Sequence, residues 1–198
     1  AIIGQSAFGA EVASEVSKIE NVKIVGIITP SNQDKDPLYQ YGIKEKLNVL
    51  RFSKLKSKEA INIFFELNVD LLVMAYVTDI VPLEIINNPS KGTIQYHPSL
   101  LPIHRGPSSI NWAIINGDKK TGITIFWPDE GLDTGPILLQ EEVEISDNDT
   151  TGSLYFNKLF PIGVNSIINS IKLVLKNEAP KIKQNENNAT YESWCSTQ

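Results

Sequence analysis

Two short apolar runs constrain this chain more than anything else: Val22-Lys23-Ile24-Val25-Gly26-Ile27-Ile28 and Val69-Asp70-Leu71-Leu72-Val73-Met74-Ala75. Each is rich in branched residues and nearly continuous rather than alternating, the pattern of a strand buried on both faces of a parallel sheet. Parallel neighbours cannot be joined by a tight turn, so a crossover, usually a helix, must lie between them. Ala10 to Ile19 carries Val12, Val16 and Ile19 at helical spacing, and Lys58 to Leu67 reads as a second helix. Ile2-Ile3 and Val49-Leu50-Arg51-Phe52 add shorter strands, while Thr29 to Tyr41, with Pro30, Asn32, Asp34, Asp36 and Pro37, reads as a loop. Strand and helix alternating at this pitch predict an α/β fold built on a doubly wound, mostly parallel sheet.

The second half keeps the alternation with more turn chemistry. Gly92 to Tyr96 reads as a strand entering a proline-rich loop from Pro98 to Pro107, and Ser108 to Ile115 as a helix. Gly122 to Trp127 and Gly135 to Gln140 read as strands around a turn-rich loop, and Thr150 to Leu175 as one or two helices. From Lys181 to Asn188 only Ile182 is apolar. The expected organisation is a catalytic domain over 1–180 and a polar tail or linker over 181–198 with little to bury.

The chain has 198 residues, with 18 Lys+Arg against 23 Asp+Glu and a net charge of -5. That balance argues against a protein that mainly coats nucleic acid or an anionic membrane. The single cysteine, Cys195, cannot form an internal disulfide, which makes a reducing, cytoplasmic compartment the default. No apolar stretch is read as approaching the roughly 20 residues of a membrane span. The opening Ala1-Ile2-Ile3-Gly4 lacks the basic start and long apolar run of a signal peptide.

Three places could do chemistry. Gly4 to Gly9 lies between a strand and a helix, where a phosphate cradle would sit, but fits neither G-x-G-x-x-G nor the Walker pattern. Close packing of the first turn is the favoured reading there. His97 ends the strand that begins near Gly92, and strand C-termini are where open α/β sheets bind ligands. Asp133 sits between glycines in Gly131-Leu132-Asp133-Thr134-Gly135. An imidazole and a carboxylate at two strand ends suit acid–base work on a carbonyl, and Gln95 could add an amide donor for an oxyanion. His104, beside Arg105 and Gly106, reads as an exposed loop residue.

His97-Pro98-Ser99-Leu100-Leu101-Pro102, His104-Arg105-Gly106 and Gly131-Leu132-Asp133-Thr134-Gly135 resemble the folate-dependent formyltransferases, the family of methionyl-tRNA formyltransferase and phosphoribosylglycinamide formyltransferase. The opening Ile3 to Gly9, with Ser109-Ile110-Asn111-Trp112, Ile125-Phe126-Trp127 and Leu138-Leu139-Gln140, is most similar to the N-terminal hydrolase domain of 10-formyltetrahydrofolate dehydrogenase. The resemblance covers nearly the whole chain. It implies a Rossmann-like formyltransferase fold, 10-formyltetrahydrofolate as formyl donor and no metal. It places His97 and Asp133 in the family's catalytic trio, with Gln95 where transferases carry Asn and the hydrolase domain an apolar residue. It implies that folate is held by Met74, Ala75, Tyr76 and Val77, by Ser99, Leu100, Leu101 and Pro102, and by Gly131 and Leu132. It also implies that Ala189-Thr190-Tyr191-Glu192 leads toward a small β-barrel domain.

The resemblance leaves the acceptor to this chain's own residues. In Thr29 to Tyr41, where the tRNA enzyme carries a basic loop, Lys35 stands alone against Asp34 and Asp36. The expectation is formyl transfer to an amine such as methionyl-tRNA, with no strong basic patch and no membrane partner. Hydrolysis to formate is the alternative, and a non-catalytic folate-binding domain is the rival of another class.

Overall fold

The computed structural model describes residues 1–195, and they form two compact units, 1–95 and 96–195. In the first unit the strands are β1 (Ile2–Gly4), β2 (Ile27–Pro30), β3 (Val49–Phe52), β4 (Leu72–Ala75) and β5 (Thr93–His97), the last running across the boundary. They pair in the order β3-β2-β1-β4-β5, all parallel. The helices are α1 (Ser6–Val16), α2 (Pro37–Lys44), α3 (Lys58–Glu66) and the single turn α4 (Leu83–Ile86).

The sheet is wound on both faces. Ile3 lies beside Ile28 and Met74 in register, and these three cluster with Phe64 of α3 and Ile85 and Ile86 of α4. Successive strand residues face opposite sides, so Ile2, Ile27 and Val73 look the other way, outside that cluster. There α1 and α2 pack together, with Phe8, Val12 and Leu38 fully buried. Burying one such side chain contributes about 1.5–3 kcal/mol, which is why the two apolar runs commit the chain to this layering.

Two boundaries differ from the sequence reading. The run from Val22 becomes strand only at Ile27, where the ladders to β1 (Ile2↔Ile27) and β3 (Ile27↔Val49) both begin. Helix α2 starts inside the loop expected over Thr29 to Tyr41 and runs past it to Lys44. Asp36 accepts from the amides of Leu38 and Tyr39 and Pro37 takes the first helical position, a start signal present in the sequence.

In the second unit β6 (Lys120–Phe126) and β7 (Ile137–Glu144) are antiparallel, after α5 (Ser109–Ile115). One helical run follows: α6 (Thr151–Leu154), a π turn (Tyr155–Leu159) and α7 (Phe160–Leu175). Pro161 has no N–H for the carbonyl one turn back, and the wider turn just before it absorbs that mismatch. Thr151–Leu175 is, among the described residues, long and apolar enough to cross a membrane by length and composition, contrary to the expectation that none is. Its buried Val164, Ile167, Ile171 and Val174 recur at helical spacing, and α7 packs against β6 and β7.

The segment after Pro180 departs most from expectation. Ile182 and Ile137 exchange backbone hydrogen bonds, as do Arg105 with Thr190 and Glu192. Residues 181–195 therefore belong structurally to the second unit, not to a free tail. They have few apolar groups to bury, but a buried guanidinium and several loop amides need partners, and this segment supplies them.

Candidate active site

His97 is the last residue of β5 and is buried. Its Nε2 lies 2.8 Å from the carbonyl oxygen of His104. A carbonyl only accepts, so Nε2 carries a hydrogen and donates it. The other nitrogen, Nδ1, is 3.5 Å from Asp133 Oδ2 and is the one left to take up or release a proton. The pair expected from the sequence is therefore brought together.

Asp133 is buried and adopts φ +55°, the left-handed region. Its Oδ2 also accepts the Gly106 amide at 2.8 Å. Gly106 has φ +94°, which a residue with a Cβ would resist. Asp129 shapes the approach to Asp133, accepting from the Gly131 amide and the Thr134 hydroxyl.

The loop after His97 is held by its own polar groups. Ser99 Oγ donates to the Ile103 carbonyl at 2.6 Å. Thr124 of β6 donates to the Ser99 carbonyl and accepts from the Leu101 amide. The Gln140 side chain of β7 donates to the Leu101 carbonyl. Thr190 closes the far side, donating its amide to the Pro102 carbonyl.

His104 is not the exposed loop residue the sequence suggested. It is 4% exposed, with Nδ1 2.9 Å from Glu192 and Nε2 2.7 Å from Asp118. Arg105 beside it is fully buried. Its guanidinium donates to both oxygens of Glu186, to Gln184 Oε1 and to the Tyr191 hydroxyl. The hydrogen bond to Glu186 strengthens the Arg105 charge, and Arg105 in turn holds the Glu186 carboxyl below its ordinary range. Sequence reasoning missed Gln184 and Glu186 because a polar run has no periodicity. Only the buried Arg105 creates the demand they meet.

Gln95 sits two residues before His97 on β5, hence on the same face of that strand. Met74 and Ala75 end β4, buried. Tyr76 follows with φ +64° and is exposed, while Val77 is half-buried. Ser99 and Leu101 are buried, Leu100 and Pro102 half-buried, and Gly131 and Leu132 exposed. In the first loop a Cβ on Gly4 would collide with the Ala75 carbonyl. Asp36 Oδ2 already accepts the Ser6 amide at 2.6 Å, so the α1 N-terminus is occupied by the protein's own carboxylate. The packing reading of that loop is the one the geometry favours. Among the described residues no group of three or more His, Cys, Asp or Glu could hold a metal ion.

A sequence profile of the family described as Formyl transferase matches residues 1–162. Mitochondrial 10-formyltetrahydrofolate dehydrogenase of Mus musculus is 43% identical over 199 aligned residues, covering 97% of this chain and 22% of that protein. Methionyl-tRNA formyltransferase of Acetivibrio thermocellus is 38% identical over 180 residues, covering 87% of this chain and 58% of that protein. The chain thus spans about a fifth of the first relative and under two thirds of the second. Among solved structures, an N-formyltransferase from Helicobacter canadensis in complex with folinic acid and dTDP-3-aminofucose superposes with TM-score 0.75. It is 22% identical and covers 96% of this chain and 69% of that one. Phosphoribosylglycinamide formyltransferase from Anaplasma phagocytophilum gives TM-score 0.77 at 22% identity, covering 89% of this chain and 85% of that one. At these identities the two structures speak for the fold.

Proposed function

Because the chain belongs to the formyl transferase family, we propose that it removes the formyl group of 10-formyltetrahydrofolate and passes it to an amine. The observation that carries this reading is the His97–Asp133 pair at the end of β5, with the Gly106 amide fixing the carboxylate.

The amine attacks the formyl carbon, and the carbonyl oxygen gains negative charge. Protonated His97 stabilises that oxygen, with the Gln95 amide as second donor, and each well-placed donor lowers the barrier by about 3–4 kcal/mol. As the intermediate collapses, the bond from formyl carbon to N10 breaks. N10 takes a proton from His97, and the proton lost by the amine passes to Asp133, directly or through water, restoring His97. The net change is one formyl group moved one way and one proton the other. Met74 to Val77, Ser99 to Pro102 and Gly131-Leu132 would line the folate. The acceptor named by one relative is methionyl-tRNA. The lone Cys195 supports a reducing, cytoplasmic setting.

Water is the alternative acceptor, favoured by the 43% identity to a 10-formyltetrahydrofolate dehydrogenase across 97% of this chain, and by Gln95 in place of Asn. Incubation with 10-formyltetrahydrofolate, alone and with methionyl-tRNA or small amines, separates the readings. Formylated amine matching tetrahydrofolate supports transfer, whereas formate released without amine supports hydrolysis. Folate binding without turnover would leave only a binding domain.

A further inference from the structure

Gln184 lies in the polar segment, yet it is 4% exposed and uses both ends of its amide. Oε1 accepts from Arg105 Nε at 3.2 Å and from the terminal Nη2 at 2.8 Å. Nε2 donates to two carbonyl oxygens of the loop around Asp133, that of Asp133 itself at 2.9 Å and that of Gly135 at 2.7 Å. We propose that Gln184 is a positioning residue that holds Asp133 against His97, an inference that takes its reaction from the function proposed above.

The backbone makes the case. A non-glycine residue at φ +55° persists where its surroundings over-determine it. Gln184 does this by fixing the carbonyls on both sides of Thr134, which sets the direction of the Asp133 side chain. Its other end grips Arg105, between the two residues that position the pair. The His104 carbonyl receives His97 Nε2–H, and the Gly106 amide donates to Asp133 Oδ2. One buried amide therefore ties the loop carrying Asp133 to the loop that orients both partners. The Nδ1–Oδ2 separation of 3.5 Å is already at the outer edge of a hydrogen bond, so a small loop shift would uncouple them.

Gln184→Glu tests this. A carboxylate still accepts from Arg105, so the segment stays docked, but it faces the two loop carbonyls with no donor. The expected result is a kcat about tenfold lower with KM for 10-formyltetrahydrofolate unchanged and the melting temperature near that of the parent. Proton NMR gives a readout that needs no turnover. The chain has two histidines, so His97→Ala assigns the His97 signal. In Gln184→Glu that signal should shift at fixed pH, because the carboxylate beside its Nδ1 has moved away.

An unchanged kcat with an unchanged His97 signal overturns the proposal. A parent protein without turnover, with the His97 signal still moving in the variant, overturns the proposed reaction and leaves the positioning role standing. If Gln184→Glu does not fold, Gln184→Asn is read by the same two measurements. Failure of both to fold makes Gln184 a structural residue and ends the proposal.

Discussion

The two nitrogens of His97 have different occupations, and that division carries the residue-scale expectations. Nε2 is engaged by the His104 carbonyl, leaving Nδ1 and Asp133 to exchange protons. His97→Ala and the near-isosteric Asp133→Asn should each lower turnover of 10-formyltetrahydrofolate at least about a hundredfold, the usual scale for an acid–base group. Circular dichroism should show both variants folded. A folded variant with near-normal turnover would sink the mechanism. Gln95 offers a finer reading. If its amide reaches the oxyanion, Gln95→Ala should lower kcat by about tenfold or more with folate affinity unchanged. A loss under about threefold would remove Gln95 from the site and put water ahead of an amine as acceptor.

Among the elements, the segment 181–195 behaves as part of the second unit because Arg105 is buried and needs partners. Removing the chain after Pro180 would strip the guanidinium of Gln184, Glu186 and Tyr191 at once. An uncompensated buried charge is strongly destabilising, so truncation should lower Tm by roughly 10 °C, or prevent folding. An unchanged Tm would mean the docking contributes nothing. The Glu186 carboxyl is held below its ordinary value of 4.5, chiefly by the Arg105 hydrogen bond. A depressed carboxyl contributes stability above its unfolded value and loses it as pH falls through its folded one. Proteolysis of the 181–195 segment should therefore increase as pH drops below about 4.5, measured with an acid protease. In Glu186→Gln that dependence should flatten.

For the whole molecule, charge sets the expectation for a nucleic-acid acceptor. The net charge is -5, and in the stretch from Thr29 to Tyr41 Asp34 is paired with Arg51 while Asp36 caps α2. With Lys35 the single Lys or Arg in that stretch and a net negative chain, tRNA should bind no tighter than about 1–100 μM at physiological salt. Filter binding across a salt series checks this. A nanomolar complex with a steep salt slope would reveal a basic surface that these charges do not provide.

The buried runs around Ile27 and Leu72 announced a parallel sheet, because a strand enclosed on both faces must be apolar on both. His97 and Asp133 were legible as strand-end residues, and the Asp36-Pro37 start of α2 was written in the chain although the loop composition obscured it. Those are local facts, set by neighbours in sequence. Gln184, Glu186 and the buried His104 were not legible, since their patterns match those of solvated polar residues. Gln184 and Glu186 are recruited by Arg105, some 80 positions away, whose charge must be matched once the chain closes over it, while His104 is held by Asp118 and Glu192. Apolar periodicity is local and survives in the sequence, whereas the partner of a buried polar group is chosen only when the fold brings distant segments together.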